Sequence, residues 1–175
     1  MAFKPFKTLL FGFAFSPSLK ANVYEATRLA NYFEAALILL QVGEKTKEKE
    51  NQFQQLLKEC PIKPNEIQTY WEEGNPITTL ANACVKYNID LLLLGALKRE
   101  NVVKYYLGSI ARKLTRHAPC SVLLMLNPSV ERSPCKHIVV NGFDSPQTHE
   151  TVEAAFYVGT SLNTEKITLV EEISE

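Results

Sequence analysis

Gly95, Lys98, Arg99, Lys104 and the pair Gly108-Ser109 are the residues whose types and spacing best suit chemistry, and that chemistry is the holding of phosphate. Glycine lets an anion approach backbone N–H groups. A helix N-terminus adds uncompensated N–H donors and a partial positive charge, and Ser109 adds a hydroxyl. The same residues also read as a plain helix start behind a solvated basic loop, and on spacing alone that reading is favoured. A zinc site built from His117-x-x-Cys120 and Cys135-x-His137 is outweighed by core cysteines and a helix-end histidine, because the two pairs fall on different elements. Neither a nucleophile elbow (G-x-S-x-G) nor a P-loop occurs. Glu72-Glu73 beside Gly74 reads as a solvated turn and Glu44 to Glu50 as an exposed helix start. Tyr105-Tyr106 reads as loop packing, with one ring free to stack on a base. No acid–base pair demands a reaction, so no catalytic residue is assigned and the chain is read as non-enzymatic.

The elements that must position these residues alternate in type. Thr8 to Phe13 is a short apolar run that ends at the turn signal Ser16-Pro17. Residues 19–35 place Val23, Ala26, Leu29, Ala30 and Phe33 on one helical face. Ala36 to Val42 is a continuous apolar strand stopped by Gly43, and residues 45–60 form a charged helix with Phe53, Leu56 and Leu57 as its stripe, broken by Pro61. Ile67 to Trp71 is a weaker strand. Asn75-Pro76 opens a helix whose face is read as Ile77, Leu80, Ala81, Cys84 and Val85. Leu91 to Leu94 is apolar on both faces, as a central parallel strand must be. Gly108-Ser109 opens a helix through Ile110, Leu114 and His117, ended by Ala118-Pro119, and Ser121 to Leu126 closes the series as a strand. Strand–helix alternation repeated in this way predicts an α/β doubly wound open parallel sheet of five strands. In such sheets ligands bind beyond the carboxyl ends of the strands, where the strand order reverses.

The chain has 175 residues, 46% hydrophobic and 22% charged, which excludes disorder and allows a core without disulfides or metal. Its 19 basic and 19 acidic residues cancel, which argues against a nucleic-acid binder. No apolar run is long enough for direct membrane insertion. Four cysteines without a CxxC pair suit a reducing, cytoplasmic compartment. The neutral total hides a split. Residues 136–175 hold two basic and seven acidic residues, a balance of −5, so residues 1–135 carry +5. Asn127 to Pro134 is polar and proline-bearing, and beyond it the chain repeats its own beginning. At an offset of 129, Lys7 meets Lys136, Leu9 meets Ile138, Ser16-Pro17 meets Ser145-Pro146, Ala26 meets Ala155 and Ile38 meets Ile167. The expected organisation is a domain at 1–127, a linker at 128–135 and a partial second copy, strand–helix–strand, at 136–175. That recurrence also removes the reading of residues 4–15 as a signal peptide.

Gly95, Gly108-Ser109 and the run Ile110 to Leu124, with its His117-Ala118-Pro119-Cys120, resemble the universal stress protein family. Thr8 to Pro17 and Asn88 to Gly95 match the family as well, so the resemblance covers residues 7–126 and the start of a second copy at 136–171. It implies the adenine nucleotide alpha hydrolase-like sheet with strand order 3-2-1-4-5. It further implies a cytoplasmic stress-response regulator that binds ATP, with magnesium, or another adenine nucleotide weakly. The nucleotide would lie against Ala14, Phe15, Val42, Gly95, Lys98, Gly108, Ser109, Ile110 and Ala111, with the Val42 backbone facing adenine. Such a protein acts through self-association, as a homodimer through Ser121 to Leu126 or as an intramolecular pseudo-dimer. The family's ATP signature runs glycine, two residues, glycine, nine residues, glycine, then Ser or Thr. Three places in this sequence depart from the nucleotide-binding pattern. Lys98 stands at the signature's second glycine, Ala14 stands where binders carry Asp after the first strand, and Ala111 stands where Ser or Thr is common. In the second copy Asp144 and Phe143 match that Asp position equally well. The departures favour an alternative, an interaction module with a vestigial pocket that regulates a partner such as a transporter. Slow ATP hydrolysis is the third reading.

Overall fold

The computed structural model describes residues 3–95, 108–131, 134–143 and 145–171. The chain divides into two compact units, one formed by Phe6–Val130 and the other by Met1–Pro5 with Glu131–Glu175.

In the first unit β1 (Thr8–Phe13), α1 (Leu19–Tyr32), β2 (Ala36–Val42), α2 (Lys47–Glu59), β3 (Ile67–Glu72), α3 (Pro76–Lys86), β4 (Leu91–Gly95), α4 (Ser109–His117) and β5 (Ser121–Met125) succeed one another. The strands form one sheet in the order β3-β2-β1-β4-β5, every pair parallel, as the alternation and the resemblance led one to expect. Leu9, Leu37, Leu39, Leu40, Leu92 and Leu93 are fully buried, which a parallel sheet covered on both faces requires. Asp90 fixes the start of β1, because its Oδ2 accepts the backbone N–H groups of Lys7 and Thr8, each at 2.9 Å.

Helix ends follow local chemistry. α1 stops short of residue 35 because Glu34 turns left-handed at φ 50°. The Asn75 side chain caps α3, accepting from Ile77 N–H at 3.0 Å and Thr78 N–H at 3.4 Å, with Pro76 in the first helical position. One expected helix face is corrected. In α3 the buried set is Thr79, Leu80, Ala83 and Cys84, while Val85 is 66% exposed. Residue 85 lies about 100° around the helix from 84, so spacing from Leu80 selects 83 and 84 instead. In α4 the core takes Ala111 and Leu114, and Ile110 stands at the exposed edge.

Residues 128–130 are held to the first unit. The Arg28 guanidinium, only 5% exposed, donates to the carbonyls of Ser129 and Val130 and pairs with Glu25.

The second unit contains β6 (His137–Asn141), α5 (Thr148–Leu162) and β7 (Lys166–Val170), with β6 and β7 parallel. Gly159 lets α5 sit close to these strands, since a Cβ there would lie 2.9 Å from Ile167 Cδ1. The hydrogen bonds of this unit parallel those of β1-α1-β2. Leu19 N–H to Ser16 O corresponds to Thr148 N–H to Ser145 O, and Ala35 N–H to Ala30 O corresponds to Thr164 N–H to Gly159 O. Left-handed Glu34 likewise corresponds to left-handed Asn163, all at the offset of 129. The final strand shifts by one. Ala36 N–H bonds Lys7 O, whereas Lys166 N–H bonds Lys136 O, so Ile167 corresponds to Leu37 and not to Ile38. The extra residue enters between Thr164 and Lys166.

Candidate functional site

Parallel strands interleaved with helices deliver all their carboxyl ends, and the N-termini of the next helices, to one edge of the sheet. The order reverses at β1, which lies between β2 and β4. A cavity of about 240 Å³ opens there. Three helices present their first residues to it: α1 through Ser18 and Leu19, α3 through Pro76, and α4 through Gly108 and Ser109. Neither α1 nor α4 has a side-chain cap, and although Leu19 N–H at the start of α1 donates to Ser16 O at 3.0 Å, three partial positive charges converge. No described residue of the lining carries a formal charge. Its walls are mostly apolar, with Leu40, Leu80 and Leu94 among them.

Two glycines make room. A Cβ on Gly12 would lie 2.7 Å from Leu80 Cδ2, and one on Gly95 would lie 2.8 Å from Asn22 Oδ1. Asn22 is 5% exposed. Its Nδ2 donates to Ser18 O at 3.0 Å, while its Oδ1 is buried and has no hydrogen-bond partner among the described residues.

The structure brings Ala14, Val42, Gly95, Gly108, Ser109, Ile110 and Ala111 into this one lining. Phe15 is elsewhere. Its ring stacks on Trp71, centroids 5.9 Å apart and planes 28° apart, and it does not line the cavity. Lys98, Arg99, Lys104, Tyr105-Tyr106 and Asp144 lie outside the described residues. The sequence reading passed over Gly12, Asn22, Pro76 and Leu80. A glycine inside an apolar strand signals close approach and would have identified Gly12. Asn22 carries no comparable signal, because a polar residue on a helix ordinarily faces water. Among the described residues no group of three His, Cys, Asp or Glu side chains is placed to hold a metal ion. His137 instead shares a hydrogen bond with Thr168 Oγ1 at 2.9 Å. No helix among the described residues is long and apolar enough to cross a membrane.

The geometry suits a ligand with an apolar ring for the Leu-lined floor and an anionic group for the helix ends. Adenine and phosphate meet both demands. No described carboxylate lines the cavity, so a magnesium ion would rest on the phosphates and water rather than on these side chains.

Residues 40–125 match the family model described as Universal stress protein family. Among solved structures, UspA of Lactobacillus plantarum, a universal stress protein, is similar at 21% identity and TM-score 0.54, covering 70% of this chain and 99% of that one. A universal stress protein crystallised in complex with cAMP is similar at 20% identity and TM-score 0.59, covering 70% and 98%. A functionally unknown protein from Pseudomonas aeruginosa PAO1 matches at 16% identity and TM-score 0.73, covering 95% of this chain, which spans 60% of its length. With its sheet order, its switch-point cavity and the family match that runs from β2 to the end of β5, the unit Phe6–Val130 belongs to the universal stress protein family.

Proposed function

We propose that this stress-response protein binds an adenine nucleotide, with ATP as the reference ligand, weakly in the cavity at the carboxyl ends of β1 and β4. The observation that carries the reading is the convergence of the α1, α3 and α4 N-termini on an apolar hollow made by Gly12 and Gly95. Apolar walls take the purine, and uncapped N–H groups at Gly108-Ser109 take phosphate. Val42 lines the wall at the end of β2, where the resemblance puts adenine. The complex of a similar protein with cAMP supports this ligand class. Binding is weak because Ala14 supplies no carboxylate beside the nucleotide. Isothermal titration with ATP and magnesium tests the reading. A dissociation constant in the micromolar to millimolar range is expected, and absence of heat at millimolar nucleotide rejects it.

The protein acts, on this proposal, in the cytoplasm as a regulator through self-association and not as an enzyme. The edge strand β5 leaves Leu123 37% and nearby Leu126 44% exposed, a surface suited to pairing with a second copy. The strand–helix–strand of the second unit is read as the opening of a second such domain, supported by its shared hydrogen-bond pattern. Light scattering that finds only monomer counts against self-association.

A second reading, an interaction module without a nucleotide, is favoured by one observation. The described lining holds no charged side chain, and Ala14 occupies the position of the family's acidic anchor. Mass spectrometry of the purified protein separates the readings. A co-purifying nucleotide supports binding, and its conversion to product over hours would support slow hydrolysis.

A further inference from the structure

Among the described residues, Asn22 Oδ1, Gln41 Oε1 and Thr164 Oγ1 are buried without a hydrogen-bond partner. Of these three residues, Asn22 is the one that lines the switch-point cavity. Its amide has a fixed orientation. Ser18 O accepts from the Asn22 backbone N–H at 2.9 Å and from Asn22 Nδ2 at 3.0 Å. Exchanging the two ends of the amide would set Oδ1 against that carbonyl oxygen, so the orphaned atom is an acceptor. The amide lies against Gly95, which ends β4 and lines the same cavity. A Cβ on Gly95 would meet Oδ1 at 2.8 Å, Nδ2 at 2.9 Å and Cγ at 3.0 Å. A buried carbonyl oxygen without a donor costs free energy that an apolar side chain would not. Leu19, Val23 and Ala26 fill the buried positions around it on α1, so packing alone does not call for an amide at 22.

We propose that Asn22 Oδ1 accepts a hydrogen bond from a ribose hydroxyl of the bound nucleotide and makes the site selective for ribonucleotides. The inference rests on the nucleotide reading above and adds the group that reads the sugar. Phosphate oxygens, ionised at neutral pH, carry no proton to donate and are repelled by a carbonyl oxygen. On that reading the purine lies by Val42, which ends β2, and phosphate lies at Gly108-Ser109, where α4 opens. β2 and β4 flank β1, two strand spacings or about 10 Å apart. The sugar joins base to phosphate, so it falls between these two places, beside Gly95 and Asn22. A ribose hydroxyl is a neutral donor, and a neutral amide oxygen accepts from it without setting a negative charge near the phosphates. Ala14, in the same lining, has no side-chain acceptor to offer.

The test titrates the isotopically labelled full chain with ATP and with dideoxyadenosine triphosphate, which lacks both ribose hydroxyls, each with magnesium. Calorimetry is expected to show the dideoxy nucleotide binding about ten-fold or more weakly than ATP, because Oδ1 then stays without a donor. The Asn22 side-chain amide resonances are expected to shift further with ATP than with the dideoxy nucleotide at equal saturation. In Asn22→Leu the two nucleotides are expected to bind alike, with ATP weakened to the level of the dideoxy form. Equal wild-type affinities, with heat from both, leave the nucleotide reading standing and overturn the role of Asn22. So does a preference for ATP that survives in Asn22→Leu, or an Asn22 amide unmoved by saturating ATP. Absence of heat with both nucleotides rejects the nucleotide reading and the sugar contact with it. The wild-type comparison and the Asn22 resonances do not depend on the variant folding.

Discussion

Gly12 and Gly95 are the positions at which one methyl group would meet the cavity wall. In Gly12→Ala the new Cβ falls 2.7 and 2.9 Å from the two methyls of Leu80, a 4% exposed side chain that must then shift within a packed core. Urea unfolding is expected to show a loss of about 1–3 kcal/mol. Gly95→Ala strikes the Asn22 amide at 2.8 and 2.9 Å and displaces it from Ser18 O. Titration calorimetry is expected to show nucleotide affinity falling by about ten-fold or more, since the displaced amide enters the ligand's space. Wild-type affinity in Gly95→Ala would remove this position from the site. Glycines were legible in the sequence where they broke a pattern: Gly95 ends a leucine run and Gly108 opens a helix. Gly12 was hidden because it sits inside an apolar run that already made sense as a strand. Asn22 was hidden because burial of a polar helix residue depends on the strand opposite, which spacing along the chain does not reveal. The contact of the Phe15 ring with Trp71 was hidden for a related reason, because Trp71 lies on β3, far away in sequence.

At the scale of elements, caps and periodicity carry the fold. Asn75→Ala removes the acceptor for Ile77 and Thr78 N–H and is expected to destabilise the unit by about 1 kcal/mol, measured by denaturant unfolding. Asn75→Asp should retain most of it, because aspartate is an equally good cap and complements the helix dipole. An alanine variant as stable as wild type would show that packing alone holds α3. The five strands and four helices described in the first unit, and their order, were readable because each apolar run had the length and type of a buried strand and each break held a turn former. The errors lie at rotations and registers. Val85 was assigned inward on a helix where its neighbour, one position away, takes the core. The correspondence expected between 136–175 and the start of the chain keeps its offset of 129 in the hydrogen bonds around α5 and loses it at β7, because one added residue before a strand shifts the ladder without disturbing composition.

At the scale of the molecule, the boundary between units is chemical as well as compositional. Residues 128–130 resembled a linker because they are polar and hold a proline, yet the Arg28 guanidinium holds two of their carbonyls. Arg28→Met removes the guanidinium's bonds to those carbonyls and its pairing with Glu25, and unfolding is expected to show a loss of about 1–3 kcal/mol. Limited proteolysis is expected to cut near residue 130 earlier than in wild type. The unit of residues 6–130 has its own sheet and core, and expressed alone it is expected to unfold in one cooperative transition by calorimetry. Non-cooperative melting would show that its core is incomplete by itself. The charge split of +5 and −5 between 1–135 and 136–175 was plain in the sequence, because counting needs no geometry.

The central claim is that the hollow at the carboxyl ends of β1 and β4 accepts an adenine nucleotide. Amide NMR of the full chain during titration with ATP and magnesium tests it residue by residue. The account predicts saturable shifts concentrated at Gly12, Gly95, Gly108, Ser109 and Ala111, with Cys60 and the α2 amides unmoved. Unchanged spectra at millimolar nucleotide, or shifts confined to residues outside this lining, would contradict it.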